Sequence, residues 1–132
     1  MNGRLRIGIT ALLTACAPMA APPVFPRVGA NVWQLKGVHD IAVGSAPEVV
    51  RKIGTRRGWS ATYEGPGMAT AELYELTAPA GGLEMVQKWR PAADTVVWYT
   101  PRYFVVVRWR NTERTAIGAL IRALENQFAE NK

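Results

Sequence analysis

The clearest pattern along the chain is an apolar stripe close to its end. Apolar side chains recur there at the three- and four-residue spacing of one helix face, at Ile117, Leu120, Ile121, Leu124 and Phe128. Asn111 or Thr112, residue types that cap helix N-termini, precedes the stripe. The pattern predicts an amphipathic helix that closes the domain and rests with this stripe on a core.

An earlier, shorter helix is predicted from a start signal and a stop signal. Ser45-Ala46-Pro47-Glu48 fits a capping box, in which the serine hydroxyl and the glutamate carboxylate satisfy backbone amides at the helix start. A short apolar stripe follows, and Gly58 is suited to the positive φ of a helix C-terminus. We therefore expect a helix between these two signals.

Six segments have the apolar and polar alternation, or the β-branched and aromatic composition, of β-strands. They are residues 33–43, 59–64, 68–76, 83–89, 95–100 and 103–110. Gly37 leaves the first as one strand or two half-strands. Gly65-Pro66-Gly67 predicts a hairpin turn between the second and the third.

The order of these elements defines the fold class. A strand, a helix, several antiparallel strands and a final helix predict an α+β domain. We expect a two-layer sandwich in which an antiparallel sheet carries both helices on one face, with the small side chains of Ala69 and Ala71 letting a helix pack closely. The domain is predicted to span residues 28–132.

The first sixteen residues have a different pattern, which indicates export. Arg4 and Arg6 precede an apolar run over residues 7–15, shorter than the about 20 residues that a membrane span needs. The run ends in Leu13-Thr14-Ala15-Cys16, which resembles the lipobox of bacterial lipoproteins. The resemblance implies that residues 1–15 are removed as a signal peptide, and that the Cys16 sulfur and the new amino terminus are acylated. The alternatives are an ordinary signal peptide with an incidental cysteine, or a buried free thiol.

Residues 16–27 are expected to join the lipidated cysteine to the domain. Four prolines among residues 17–26 favour an extended polyproline conformation, which predicts a spacer. Lipoproteins retained in the inner membrane of a two-membrane cell often carry aspartate after the cysteine, whereas this chain has Ala17. The resemblance therefore implies a place on the outer membrane, facing the periplasm, if the source has two membranes.

Residues 45–128 also resemble small bacterial lipoproteins with a β-α-β-β-β-α envelope domain of uncharacterised function. The likeness rests on the closing helix and on Arg57-Gly58-Trp59, Pro66-Gly67-Met68, Val96-Val97-Trp98-Tyr99 and Phe104-Val105-Val106-Val107. Residues 77–90 depart from that pattern by inserting extra chain. The family implies a fold and a location, with no catalytic residues to carry over.

Length and composition set further limits. The chain has 132 residues, enough for one ordinary domain, and its 48% hydrophobic and 20% charged residues are typical of a globular protein. A formal charge of +6 makes nucleic acid and anionic membranes the first partner classes to consider. Export excludes nucleic acid and leaves anionic lipid, a cell-wall polymer or plain solubility. One Cys and one His exclude a disulfide framework and the usual zinc sites, so no cofactor or metal is expected.

Candidate catalytic groups are few. His39 and Asp40 are neighbours on a predicted strand, where they face opposite sides and cannot act as a base and its orienting carboxylate. Glu72 could pair with Glu64 or Glu75 as the two carboxylates of a glycoside- or peptidoglycan-cleaving enzyme. Because Glu72 is predicted to lie on the solvated face of its strand, we expect neither such a pair nor catalysis.

A basic face of the last strand is the candidate binding surface. Arg108 and Arg110 alternate to the side opposite Val107 and Trp109. The candidate surface consists of Arg102, Phe104, Arg108, Arg110 and Arg114. It could receive an acidic peptide, a lipid headgroup or the carboxylates of a partner. The alternative is that the arginine stems only cover an apolar sheet face while their charged heads stay in water.

These observations predict a lipid-anchored cell-envelope protein, held to a membrane by the acyl chains on Cys16. It is expected to bind a protein partner or an anionic envelope polymer, without catalytic activity. One alternative is an enzyme acting on peptidoglycan or lipid, or an inhibitor of such an enzyme, for which a carboxylate or histidine in a concave pocket would be the deciding observation. The other is an accessory subunit of a secretion or outer-membrane assembly machine, which would expose a contiguous apolar patch on the sheet.

Overall fold

Within residues 23–29 and 32–129, which the computed structural model describes, the chain forms six strands and three α-helices. In chain order they are β1 (Val28–Gly29), β2 (Trp33–Ile41), α1 (Glu48–Ile53), β3 (Thr55–Glu64), β4 (Met68–Leu76), α2 (Gly81–Lys88), β5 (Thr95–Tyr99), β6 (Tyr103–Arg110) and α3 (Arg114–Phe128). The strands form one antiparallel sheet in the order β1-β2-β3-β4-β6-β5. The predicted α+β class, with helices packed on an antiparallel sheet, is therefore confirmed.

The strand pairing follows the predicted turns. Gly65-Pro66-Gly67 joins β3 to β4 as expected, and Ala61 lies opposite Ala71 in this hairpin. β6 pairs with the other side of β4, and β5 forms the outer strand beyond it. In β2 the register shifts between Leu35 and Gly37, the position where the sequence predicts a break. The shift marks an irregularity of the β-bulge type at that point.

The sheet carries an apolar core on each face. On one face, here called the α3 face, α3 buries Ile117, Leu120, Leu124 and Phe128 over alternate residues of β3, β4 and β6. On the opposite face, here called the α1/α2 face, Val50 of α1 and Met85 of α2 cover Tyr74, Phe104 and Val106. The first and last helices thus lie on opposite faces, which corrects the expectation that one face carries both. The reason is that successive strand residues point to opposite sides, and β4 and β6 are apolar on both sides near Tyr74.

The first helix is shorter than predicted and begins differently. α1 ends after Ile53 because Gly54 adopts a φ of 122°, which is favourable only for glycine. Gly58 lies in β3 instead, where a Cβ would stand 2.9 Å from the Tyr74 ring. Pro47 is the N-cap residue and no side chain hydrogen-bonds to the helix start, so the predicted capping box at Ser45 does not form.

The predicted strand over residues 83–89 is wrong, because Gly81–Lys88 is the helix α2. Met85 is buried, and Val86 and Trp89 are partly buried against the same core, which is helical spacing. Leu83 stays 47% exposed. An alternating pattern of Leu, Met, Gln and Trp fits both periods over so few residues, and the packing against the α1/α2 face favours the helix.

The folded part of the chain begins before residue 28. Phe25 is buried in the core of the α3 face, with its ring centroid 5.3 Å from that of Phe128. The Tyr63 hydroxyl donates a hydrogen bond to the Pro26 carbonyl at 2.7 Å. Residues 23–27 therefore pack on the domain, which corrects the predicted end of the tether. Residues 1–22, with the predicted signal peptide, the lipobox and the first part of the tether, lie outside the described residues.

Candidate functional site

Arg108 is the centre of the candidate site on the α1/α2 face. It follows Phe104 and Val106 along the same side of β6, beyond the part of the sheet that α1 and α2 cover. Its Nη1 donates a hydrogen bond to Oε2 of Glu72 on the neighbouring strand β4, at 2.5 Å. The Arg108 side chain remains 42% exposed. The ion pair therefore fixes the guanidinium in place while leaving it open to solvent.

Glu72 is held from two sides. The Tyr74 hydroxyl donates to its Oε1 at 2.8 Å, and Arg108 donates to its Oε2. The Glu72 side chain is 18% exposed, so the expectation of a solvated carboxylate is wrong: its two partners cover it. Burial, and then the nearby carboxylate, raise the pKa of Tyr74 far above its usual value, so the phenol keeps its proton and stays a donor even in alkaline solution. With both oxygens engaged, Glu72 positions Arg108.

Three shallow clefts meet at Arg108. The first, about 370 Å³, is lined by Met68, Thr70, Ala93, Asp94, Thr95, Trp109 and Arg110. The second, about 410 Å³ and here called the Trp89 cleft, is lined by Pro47, Glu48, Val49, Lys88, Trp89 and Arg90. The third, about 390 Å³ and here called the His39 cleft, is lined by His39, Ile41, Ser45, Pro47, Ser60, Glu72 and Tyr74. One arginine thus faces a continuous set of depressions that a ligand longer than a single small ion could occupy.

Trp89 supports Arg108 from the side. The Arg108 Cζ lies 6.0 Å from the centroid of the Trp89 ring, within the range of a cation–π contact. The Trp89 ring in turn packs on buried Phe104, with the centroids 5.6 Å apart. Because this aromatic pair belongs to the core, the orientation of the Arg108 side chain is set by the folded sheet and by α2.

The charge around the Trp89 cleft is predominantly positive. Lys88 and Arg90 lie on its rim with Arg108, against the single carboxylate of Glu48. Glu48 is itself paired with a lysine of α1, Lys52, at 3.1 Å. Lys88 is likewise paired, with Glu84 of α2 at 3.9 Å. Three cations and one carboxylate line the cleft, and this excess of positive charge favours an anion.

The structure brings together only part of the predicted binding surface. Arg108 and Arg110 line the same cleft. Phe104 is fully buried, so it supports the surface from below without being part of it. Arg102 lies at the opposite end of β6, roughly 20 Å from Arg108 along the strand, and Arg114 begins α3 on the other face. The alternation along β6 is as predicted, whereas the two flanking arginines belong elsewhere.

His39 and Ser60 reach the same cleft as Glu72. The three residues lie directly opposite one another on β2, β3 and β4, with Ser60 in the middle. Asp40 is on the other face, opposite Trp59, which agrees with the prediction that it cannot orient His39. Within the described chain, no side-chain hydrogen bond joins His39, Ser60 and Glu72. A serine nucleophile needs the histidine between itself and the carboxylate, and this order places the histidine at the end of the row.

The other predicted carboxylate partners do not join Glu72. Glu64 is exposed at the end of β3, opposite Met68, and Glu75 lies at the far end of β4 beside Arg102. Among residues 23–29 and 32–129, no group of three His, Cys, Asp or Glu side chains is arranged to hold a metal ion.

Sequence reasoning missed the contribution of α2 to the site. Lys88, Trp89 and Arg90 are not predicted to form one site, because a strand over residues 83–89 would direct successive side chains to opposite faces. The signal that could have found them is the spacing of Val86 and Trp89, which are both apolar and three residues apart. Such a pair shares a face in a helix and lies on opposite faces in a strand.

Comparison of the chain with protein-family models, curated proteins and solved structures finds no match. In the part of the chain that the structure describes, no helix has the length and apolar character needed to cross a membrane. The features of the chain that bear on function are therefore the geometry around Arg108 and the sequence of the first sixteen residues.

Proposed function

We propose that this protein is a lipid-anchored binding protein of the cell envelope, without catalytic activity, that holds an anionic group of a protein partner or envelope polymer at Arg108. The observation that supports the binding role most directly is the Glu72–Arg108 ion pair at 2.5 Å, on an arginine that lines three clefts. The lipid anchor remains a proposal from Leu13-Thr14-Ala15-Cys16.

Arg108 is suited to this role because it is held and still available. A guanidinium carries five N–H donors in a planar fork that matches carboxylates and phosphates. Glu72 engages Nη1, and the partial exposure of the side chain leaves other donors for a ligand. A side chain that is already fixed loses less conformational entropy on binding than a free surface arginine.

The surroundings favour an extended anion over a single small one. Lys88 and Arg90 on one side of Arg108, and Arg110 on the other, offer further cations along adjoining clefts. An acidic peptide segment or an anionic polymer can place successive charges against successive cations. Each contact with a charged group is worth about 1.5–3 kcal/mol when well formed, so a few suffice for a useful affinity.

Binding to two defined anionic probes tests the proposal. A polyglutamate peptide represents an acidic protein segment, and inorganic polyphosphate represents an anionic polymer; both are titrated by calorimetry into the full chain. Arg108→Gln is expected to weaken binding about tenfold to a hundredfold. Arg122→Gln removes the same charge from an exposed position of α3 and is expected to change affinity by less than about threefold. Equal losses in the two variants would show that only net charge matters.

A second candidate function follows from the His39 cleft. A histidine, a serine and a carboxylate line one concave site, which is the feature that distinguishes an enzyme acting on peptidoglycan or lipid from a binding protein. The order of the residues and the engagement of both Glu72 oxygens favour binding over catalysis. Peptidoglycan and phospholipid vesicles incubated with the chain are expected to stay intact. Turnover that Ser60→Ala abolishes would replace the binding proposal by this one.

The anchor is tested separately from the ligand surface. Cys16→Ser removes the sulfur that would carry the lipid, and the protein is then expected to move from the membrane fraction to the soluble fraction of the cell envelope. Arg108→Gln serves as the control, since it leaves the anchor motif intact and is expected to stay in the membrane fraction. A Cys16→Ser protein that remains as membrane-bound as the parent would contradict the lipid anchor.

A further inference from the structure

The outer edge of β5 has the properties of a surface that pairs with another strand. β5 is the last strand of the sheet and pairs with β6 alone among the described strands. Its five residues, Thr95, Val96, Val97, Trp98 and Tyr99, include no charged residue, proline or glycine. Natural proteins commonly blunt an exposed edge with such residues or with a bulge, because an unprotected edge accepts a further strand.

The hydrogen bonds between β5 and β6 show which backbone amides and carbonyls of β5 point away from the sheet and can bind another strand. The Trp109 amide donates to the Asp94 carbonyl, and the Thr100 amide donates to the Tyr103 carbonyl, so even-numbered residues of β5 bond to β6. Thr95, Val97 and Tyr99 therefore direct their amides and carbonyls outward. Within the described residues, no backbone hydrogen bond from another segment reaches these three.

The opposite edge of the same sheet is protected against pairing with a further strand. β2 carries Lys36 and Asp40, contains Gly37, and shifts register beside it. β1 and the Arg27 carbonyl, which accepts from the Leu35 amide, cover its first residues. The sheet thus has one edge with charges, a register shift and a covering strand. At the other edge α2 packs beside Tyr99 through Gly82, and no backbone hydrogen bond from α2 reaches the outward groups of β5.

We infer that β5 pairs edge to edge with β5 of a second copy of this chain, in an antiparallel dimer centred on Val97. In this register Val97 lies opposite its own symmetry mate, and Thr95 lies opposite Tyr99 of the second copy. Each such pair exchanges two backbone hydrogen bonds, because all three residues point their polar groups outward. The sheet then continues through both molecules.

The charge at the start of β5 supports this occupant and this direction. Exposed Asp94 precedes the strand, whereas Nη2 of Arg102, beyond the turn, lies 4.0 Å from Oε2 of Glu75 on β4, away from the open edge. An antiparallel copy keeps the Asp94 carboxylates of the two molecules at opposite ends of the paired strands, whereas a parallel copy would bring these like charges together. Side chains of Val97 from both copies lie on the same face, so the two Arg108 surfaces also face the same side of the joined sheet.

The oligomeric state of the full chain tests the dimer. The chain carries Cys16→Ser and is produced without export, so that residue 16 is not acylated, and its mass is measured by sedimentation from about 1 to 200 µM. We expect a concentration-dependent dimer. Val97→Pro removes an outward amide without touching the bonds between β5 and β6, and should weaken dimerisation at least about tenfold while the far-UV circular dichroism stays unchanged.

Paired charge substitutions test the register of the dimer. They also test the inference if the Val97→Pro variant does not fold. Thr95→Lys with Tyr99→Lys places lysine against lysine in the proposed dimer and is expected to yield a monomer. Thr95→Glu with Tyr99→Lys places glutamate against lysine at the same positions and is expected to restore the dimer. A parent chain that is monomeric throughout the concentration range would overturn the inference. So would a folded Val97→Pro dimer, or two charge variants that do not differ.

Discussion

At the scale of single residues, Tyr74, Glu72 and Arg108 form a line of polar contacts that leads from the core to the surface. Tyr74 is buried under α1, Glu72 is mostly covered, and Arg108 is nearly half exposed. Tyr74 and Arg108 both donate hydrogen bonds to the Glu72 carboxylate. The partly buried charge of Glu72 therefore has partners for both of its oxygens. A strand pattern can predict that the three share a face. It cannot predict how much of that face two short helices cover, and this decides which of the three meets solvent.

Tyr63 and Tyr74 predict a loss of stability at high pH. Burial raises the pKa of both phenols in the folded chain. In the unfolded chain they ionise near pH 10, so above that pH the unfolded state releases protons that the folded state keeps. Their contribution to stability is full below about pH 10 and falls as the pH rises further. Urea unfolding between pH 8 and 11 measures this slope.

Tyr63→Phe separates the titration from the packing. The ring stays in place, the hydrogen bond to the Pro26 carbonyl is lost, and the free energy of unfolding at pH 7 is expected to fall by about 1 kcal/mol. The alkaline slope should become shallower, because one of the two phenols is gone. A slope as steep as that of the parent would show that other groups dominate the alkaline transition.

At the scale of elements, the sequence predicts strands and the final helix well where a long pattern meets a strong turn. β3, β4, β5, β6 and α3 all match an expected segment. The elements that differ from the prediction are short: α1, a helix as expected but with an earlier end, has six residues, and α2, predicted as a strand, has eight. Over so few positions an apolar residue every second place and one every third or fourth place coincide, and only the packing partner distinguishes them. The error at α2 removed Trp89 and its neighbouring cations from the predicted site.

The β3–β4 turn gives a test at this scale. A Cβ on Gly67 would press on the Arg110 carbonyl and lie 2.5 Å from the Asn111 carbonyl oxygen, and these are backbone atoms that cannot rotate away. Gly67→Ala is expected to lower the free energy of unfolding by about 1–3 kcal/mol in urea titration. The control is Gly118→Ala in α3, where a Cβ meets nothing within 4 Å. That change should stabilise the protein by up to about 1 kcal/mol, and equal effects of both substitutions would contradict the steric account.

At the scale of the whole molecule, one sheet separates two cores, and the segment before β1 completes the larger of them. Phe25 packs on Phe128, which in turn contacts Tyr103 of β6 with the ring centroids 5.8 Å apart. The sequence does not indicate this, because four prolines in ten residues are typical of a spacer. Proline content predicts the local backbone conformation. It does not predict whether a single aromatic side chain of the segment, here Phe25, is buried in the core.

The size of this contribution can be measured. Phe25→Ala removes a buried ring from the core of the α3 face and is expected to destabilise the full chain by about 3–5 kcal/mol. Val24→Ala is the matched control, since Val24 is 69% exposed, and it should change stability by less than about 0.5 kcal/mol. Thermal unfolding of both variants gives the comparison. A Phe25→Ala protein as stable as the parent would restore the domain boundary at residue 28.

The contact of Phe25 with the last turn of α3 also determines how the molecule bears mechanical load. A force pulling on the chain ahead of Pro23 enters the described part of the fold on the α3 face, where the Phe25 ring packs on Phe128. Arg108 lies on the opposite face, attached to β4 and β6 at the middle of the sheet. Under such a force the contact between Phe25 and Phe128 is expected to break before the hydrogen bonds between β4 and β6. The strands that carry Glu72 and Arg108 then keep their register.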